Sequence, residues 1–228
     1  MPEGETIHID VVSDVVCPWC YVGERHLAAA LGLMEGIEAV IRWRPYQLDA
    51  SIPPEGRDRQ TYLLDKFGDP ARIEAMHRRL REMGEAAGIT FNFEAIKVSP
   101  NTLDAHRLIR WAASAGPGIQ ARLVRRLFQL YFEEGADIGR GEVLLDAARA
   151  AGMDAALAET LLPTGADRAE VEAEIATAHR MGITGVPCFL LEGRYALMGA
   201  QPPEALAEAI GKVAAAKAAG ALDDETQE

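Results

Sequence analysis

The sequence predicts an α/β fold whose sheet is interrupted by a large all-helical insertion. Three observations carry this. A strand-like run, Ile7-His8-Ile9-Asp10-Val11-Val12, leads into Cys17-Pro18-Trp19-Cys20 and a helical stretch, and a second alternating run follows from Glu38 to Arg44. From about Gln60 to Ala166 the periodicity is mostly helical. Strand character then returns at Cys188-Phe189-Leu190-Leu191. The sheet-forming domain is therefore assigned to residues 1–50 and 166–218, the inserted helical subdomain to 51–165, and a disordered tail to 219–228.

In chain order, Leu27, Leu31 and Met34 recur at helical spacing behind the cysteines, and Pro45 stops the second strand. This makes a β-α-β unit with the cysteines at the strand-to-helix turn. Residues 52–62, with Pro53-Pro54-Glu55-Gly56, lack periodicity and are expected to form a loop. Helices are expected at 71–87, 102–115, 119–134, 141–151 and 154–162, with the short apolar run Ile89 to Phe93 extended. Ile119, Leu123, Leu127, Leu130 and Tyr131 form a stripe that must face another apolar surface. A helix at 167–181 precedes Gly182-Ile183-Thr184-Gly185-Val186-Pro187. Glu192-Gly193 is a hairpin-type turn, 195–198 pairs back, and an Ala-rich helix covers 202–217.

With 228 residues, 49% of them hydrophobic, the chain can bury a full core without a metal or disulfide staple. Its formal charge of −12 and pI of about 4.9 argue against nucleic acid or an anionic membrane as partner. No apolar run is long enough to span a bilayer. Met1 to Thr6 shows neither a cationic leader nor an apolar h-region, so a cytoplasmic location is expected. Only three cysteines occur, Cys17, Cys20 and Cys188. In a reducing compartment such a CxxC pair is catalytic, redox-sensing or metal-binding rather than structural.

A thiol in the first turn of a helix meets backbone N–H groups without intrahelical partners and the positive end of the dipole, which favours the thiolate. Pro18 suits that turn, because its fixed φ fits and its missing N–H is not needed. Cys20, further into the helix, should be the more buried and less ionised thiol, so Cys17 attacks and Cys20 resolves. Two other readings compete. The cysteines could be plain core thiols, or they could hold zinc together with Cys188 and one of His8, His26, His77, His106 or His179, although no second CxxC supports this and no metal site is expected. Asp14, three residues before Cys17, is either a proton acceptor for a thiol or a capping or turn residue. Trp19 is expected on an exposed rim beside the sulfur. Cys188 is either a small buried hydrophobe or a third redox thiol that exchanges with the pair. His26 and His106 read as ordinary, partly buried histidines, and the arginine-rich stretches at 78–81 and 122–126 as solvated helix faces.

Taken together, Ser13-Asp14-Val15-Val16-Cys17-Pro18-Trp19-Cys20, Trp43-Arg44-Pro45-Tyr46-Gln47-Leu48, Asn101-Thr102-Leu103-Asp104-Ala105-His106-Arg107-Leu108, Gly182 to Pro187 and Gly199-Ala200-Gln201-Pro202-Pro203 resemble the DsbA-like branch of the thioredoxin superfamily, most closely its FrnE-type subgroup. The resemblance covers nearly the whole chain. It implies a thioredoxin-like fold with a helical lid, Cys17 as nucleophile, Cys20 as resolving thiol and a cis peptide at Val186-Pro187 facing them. Pro18, Trp19, Val186, Pro187 and Asn101 would then contact substrate, Val186 through its backbone. For Asn101 the plainer role is the cap of the helix that follows Pro100. The implied substrates are disulfide-containing proteins or small molecules, with a cellular thiol as reductant. No cofactor beyond the redox-active disulfide is implied, though glutathione is a thiol that relatives of this kind can use.

Two further functions stay open at this point. One is a glutathione-dependent isomerase or transferase of the 2-hydroxychromene-2-carboxylate isomerase type. Those enzymes usually carry serine at the position of Cys17, and Gly199-Ala200-Gln201 departs from the acidic step that holds glutathione in the kappa-class transferases. The other is a holdase that uses the helical subdomain as its binding surface and the thiols as a redox switch.

Overall fold

The computed structural model describes residues 5–221. The first β-α-β unit comprises β1 (Glu5–Ser13), α1 (Pro18–Gly32) and β2 (Ile37–Pro45). Next come β3 (Arg57–Asp58), α2 (Arg59–Phe67), α3 (Pro70–Ala86) and β4 (Val98–Ser99). Four more helices follow, α4 (Leu103–Ala112), α5 (Ile119–Phe132), α6 (Gly141–Ala151) and α7 (Ala155–Leu161). The chain then returns through α8 (Arg168–Arg180), β5 (Cys188–Leu191), β6 (Tyr195–Met198) and α9 (Pro203–Ala218). The main sheet has the order β2-β1-β5-β6, with β1 parallel to β2 and antiparallel to β5. This is the thioredoxin-like α/β arrangement with a helical insertion that the sequence predicts.

The two faces of the sheet bury different sets of residues, as the alternation of a strand requires. Ile7, Ile9 and Val11 of β1, with Phe189 and Leu191 of β5, pack toward Val22 and Leu27 of α1 and Leu206 and Ile210 of α9. Val12 and its register partner Cys188 point the other way, into a small cluster with Tyr46, Ala178 of α8 and Ile183. At the open edge of β2, the Gln120 side chain accepts from the Trp43 N–H at 3.1 Å and donates to the Trp43 carbonyl at 3.4 Å.

The stripe on α5 finds its surface. Leu123, Leu127 and Tyr131 are wholly buried. On the same helix, Phe128 stacks on Tyr21 of α1 with ring centroids 5.0 Å apart. Glu24 of α1 accepts from Arg125 of α5 at 2.6 Å beside this stack, so the CxxC helix is locked to the insertion. The insertion's return is anchored by Arg107, fully buried, which donates to the carbonyls of Leu161, Leu162, Thr164 and Ala166 and to Asp104.

One local expectation is corrected. Residues 52–62 are not all loop, because they contain β3 and the start of α2, which Asp58 caps by accepting from the Thr61 N–H at 2.8 Å. One face of α2 carries Arg59, Tyr62, Leu63, Lys66 and Phe67, and that mixture of cations and aromatics hides the helical period. Ile89 to Phe93 joins no strand of either sheet, but Ile89, Phe91 and Phe93 are buried in alternation with exposed Thr90 and Asn92, and Phe91 and Phe93 stack at 4.9 Å. Gly84 makes room for it, since a Cβ there would lie 2.6 Å from the Phe91 ring. The expected disordered tail falls, from residue 222 onward, outside the described residues, while 219–221 form a turn that closes α9. Among the described residues no helix is long and apolar enough to cross a membrane.

Candidate active site

Cys17 is the N-cap residue of α1, in extended conformation, and Pro18 opens the helix. Its N–H donates to the Asp14 carbonyl at 3.0 Å, and its own carbonyl accepts from the N–H groups of Cys20 and Tyr21. No side chain caps this helix and its first turn holds no acidic residue, so the thiol is the group nearest the positive end of the dipole. The Cys17 S–H donates to the Val186 carbonyl at 3.6 Å. The Val186–Pro187 peptide bond is cis. Both thiols are free and nearly inaccessible, 3% exposed at Cys17 and 1% at Cys20, so total burial separates them less than the sequence suggests. They differ in direction, because Cys17 lines a cavity and Cys20 faces the core. Burial pushes the Cys20 thiol well above its ordinary value, and the neighbouring Cys17 sulfur adds to the shift.

A glycine sets the approach of the two walls. Gly23, on the first turns of α1, packs against Pro187, where a Cβ would lie 2.9 Å from the proline ring and 3.2 Å from Phe189. The proline ring has little freedom to retreat, so this contact holds Val186 against the cysteine.

The cavity over Cys17 measures about 300 Å³. Its floor is Cys17, Pro18, Trp19 and Val186, and the cavity-facing side of α2 supplies another wall with Arg59, Tyr62, Leu63, Lys66 and Phe67. Met76 and His77 of α3 and Tyr131 of α5 complete it. Trp19 is half-buried here rather than on an exposed rim, with the Arg79 guanidinium 5.6 Å above its ring. The Tyr131 hydroxyl, pushed up to about 12 mainly by burial, accepts from Arg59 at 3.1 Å. His77 stacks on Phe93 at 4.2 Å, and burial, helped by Arg59 and Arg81, lowers its pKa. A wider groove of about 1040 Å³ follows the open edge of β2 and is lined by neither cysteine of the pair.

The remaining candidates fall in different places. Asp14 is 1% exposed, accepts from the Leu48 N–H at 2.8 Å and bonds His106 Nε2 at 3.3 Å. Asp14 thus heads the turn before α1, as its plainer reading has it, while its carboxylate hydrogen-bonds neither thiol, and His106 is a buried partner of that carboxylate rather than an ordinary, partly buried histidine. Asn101 does not line the cavity. Its amide donates to the Ile52 carbonyl at 2.6 Å and its Oδ1 accepts from the Leu103 N–H at 2.9 Å, so it opens α4 and ties down the preceding loop. Cys188 is wholly buried on the opposite face of the sheet from Cys17 and Cys20, and burial raises its pKa. It therefore has the environment of a small hydrophobe. Among the described residues no cluster of three potential metal ligands occurs. The α2 wall, Gly23 and the Asp14–His106 pair were not singled out from sequence. Only Gly23, a glycine inside a predicted helix three residues after the second cysteine, left a usable signal.

Comparison with known proteins agrees with this geometry. The sequence model of the DSBA-like thioredoxin domain matches residues 8–211. The uncharacterized protein YwbO of Bacillus subtilis (strain 168) is 28% identical over 206 residues, 90% of this chain and 96% of that one. Among solved structures, the "probable DsbA oxidoreductase SCO1869" of Streptomyces coelicolor superposes with a TM-score of 0.81 at 29% identity, covering 90% of this chain and 89% of the other. The cytosolic disulfide reductase DsbM of Pseudomonas aeruginosa shares the fold, with a TM-score of 0.56 at 21% identity over 83% of this chain and 88% of its own.

Proposed function

Because the chain belongs to the DsbA-like thioredoxin family, we propose that it is a thiol–disulfide oxidoreductase with Cys17 as nucleophile and Cys20 as resolving thiol. The observation that supports this best is the division of the pair, with Cys17 at a helix N-cap facing a cavity and Cys20 buried behind it. The Cys17 thiolate, its proton lost to solvent, attacks one sulfur of a substrate disulfide. A mixed disulfide forms, the substrate S–S bond breaks and the first thiolate leaves, taking a proton from solvent. The Cys20 thiol then loses its proton to solvent and its thiolate attacks the Cys17 sulfur, which closes the Cys17–Cys20 disulfide and releases the second thiolate to take a proton from solvent. Two electrons pass to the substrate, and a cellular thiol reductant restores the dithiol while being oxidised to its own disulfide.

In a cytoplasmic setting the pair rests as dithiol, so reduction or isomerisation is the direction this reading assigns. The main chain of Val186, beside the sulfur, is the element against which a substrate's backbone can pair, with Pro187 fixing it in place. A redox titration in glutathione buffers, with alkylation and mass spectrometry to locate the thiols, tests the proposal. A reversible Cys17–Cys20 disulfide is expected. A stable glutathione adduct on Cys17 with no disulfide would move the assignment to a glutathione-dependent isomerase or transferase.

A further inference from the structure

The cavity over Cys17 carries chemistry that disulfide exchange alone does not require. Arg44, Arg57 and Arg81 each meet a carboxylate, whereas Arg59, which lines the cavity, does not. It is half-buried on the α2 wall, and its Nη1 donates only to the neutral hydroxyls of Tyr131, at 3.1 Å, and Ser99, at 3.5 Å. Its Nε and Nη2 have no partner among the described residues. A guanidinium that lines a cavity with N–H groups to spare is available to an anion from outside. The carboxylates that line the cavity are otherwise engaged. Asp14 holds Leu48 and His106, while Asp49 accepts from the Ser51 N–H and hydroxyl and lies within the influence of Lys66.

A second observation falls on the same wall. His77 Nε2 is shielded from water and has no hydrogen-bond partner among the described residues, although the ring lines the cavity beside Arg59. Two nitrogen-bearing groups are thus left underused where the remaining lining is largely aromatic or apolar, with Trp19, Tyr62, Phe67 and Met76. A volume of about 300 Å³ is at the small end for ligand pockets and suits one aryl half of a disulfide rather than a folded segment.

We propose that this cavity selects small aromatic disulfides that bear a carboxylate, with Arg59 holding the carboxylate while the sulfur bonded to that half meets Cys17. The proposal rests on the oxidoreductase reading and adds to it a substrate class and a specificity-determining residue. Guanidinium and carboxylate match as a two-point fork, which a neutral amide of the same shape cannot reproduce. The reaction is the exchange already described. Each disulfide reduced consumes one Cys17/Cys20 dithiol and releases two arylthiols.

The test uses the full chain, reduced beforehand and freed of reductant, mixed in stopped flow with dithiodibenzoate or with its diamide, and follows arylthiolate absorbance. Arg59→Gln is expected to lower the dicarboxylate rate constant relative to the diamide rate constant by about tenfold, equivalent to about 1.4 kcal/mol. Arg59→Lys, which keeps the charge but not the fork, should retain part of the preference. A ratio of the two rates unchanged by Arg59→Gln, with both disulfides consumed, would overturn the proposal and leave the oxidoreductase standing. If neither disulfide is consumed by the wild-type chain, both readings fail. Should the variants not fold, competition on the wild-type chain decides. Methylthiobenzoate should slow reduction of the dicarboxylate more than methylthiobenzamide does, and equal inhibition or none would overturn the proposal.

Discussion

Two thiols of the same helical turn are given different work by their surroundings. Cys17 has a helix N-terminus and a cavity, while Cys20 has neither and is penalised as a thiolate by burial. In the mixed disulfide the Cys17 sulfur is capped but the burial of Cys20 persists, so resolution should keep accelerating as pH rises. Closure of the Cys17–Cys20 bond is expected to rise about tenfold per pH unit through pH 9, with no levelling at the value of an ordinary thiol. Quenched-flow alkylation of a preformed mixed disulfide measures this, and a plateau below pH 9 would show that Cys20 is not the buried acid described. Cys20→Ser should accumulate the mixed disulfide, and Cys17→Ser should form none. Asp14→Ala would strand the buried His106 ring and release the Leu48 N–H, at a cost of about 1–3 kcal/mol, readable by urea denaturation. The cysteine pair was legible because its chemistry is written in four adjacent residues. The Asp14–His106 pair was not, since its members are 92 positions apart and nothing local marks either as a partner.

Among the elements, α1 does the positioning and α2 shapes the cavity. The approach of α1 to Pro187 depends on Gly23 having no side chain, so Gly23→Ala should force the helix or the Val186-Pro187 loop to shift. The expected loss is about 1–3 kcal/mol, seen as a lowered Tm together with slower disulfide exchange. A variant with unchanged Tm and unchanged exchange would show that the contact is slack. α1, α5 and α8 could be read from their apolar spacing, because each has one face against the core. α2 could not, since its inward face both packs Tyr62 and Leu63 into a small apolar cluster with Ile52 and lines a cavity, where it keeps Arg59 and Lys66 beside Tyr62 and Phe67. At Ile89 to Phe93 the alternation was legible but its partners were not, since these are an aromatic stack and the space left by Gly84 rather than a neighbouring strand.

For the molecule as a whole, the order of motifs made the architecture legible before any packing was known, since a strand-CxxC-helix start and a Val-Pro-strand return can close on one sheet only if the residues between them are set aside. What sequence did not reveal is how the end of the insertion is held to the rest of it. Arg107 of α4 does much of this by holding four carbonyls of the segment 161–166 from a fully buried position, so Arg107→Met should cost roughly 3 kcal/mol or more and loosen α7 first, visible as early hydrogen exchange there. Protection of α7 equal to wild type would show that the anchor lies elsewhere. The amide of Gln120 acts on a different hazard. By giving Trp43 both an acceptor and a donor, one side chain imitates a residue of a neighbouring strand near the C-terminal end of β2, on the margin that no strand pairs among the described residues. Such margins recruit strands from other chains and seed aggregates, so this glutamine works as a stopper that keeps a crowded solution of the protein from polymerising through its sheets.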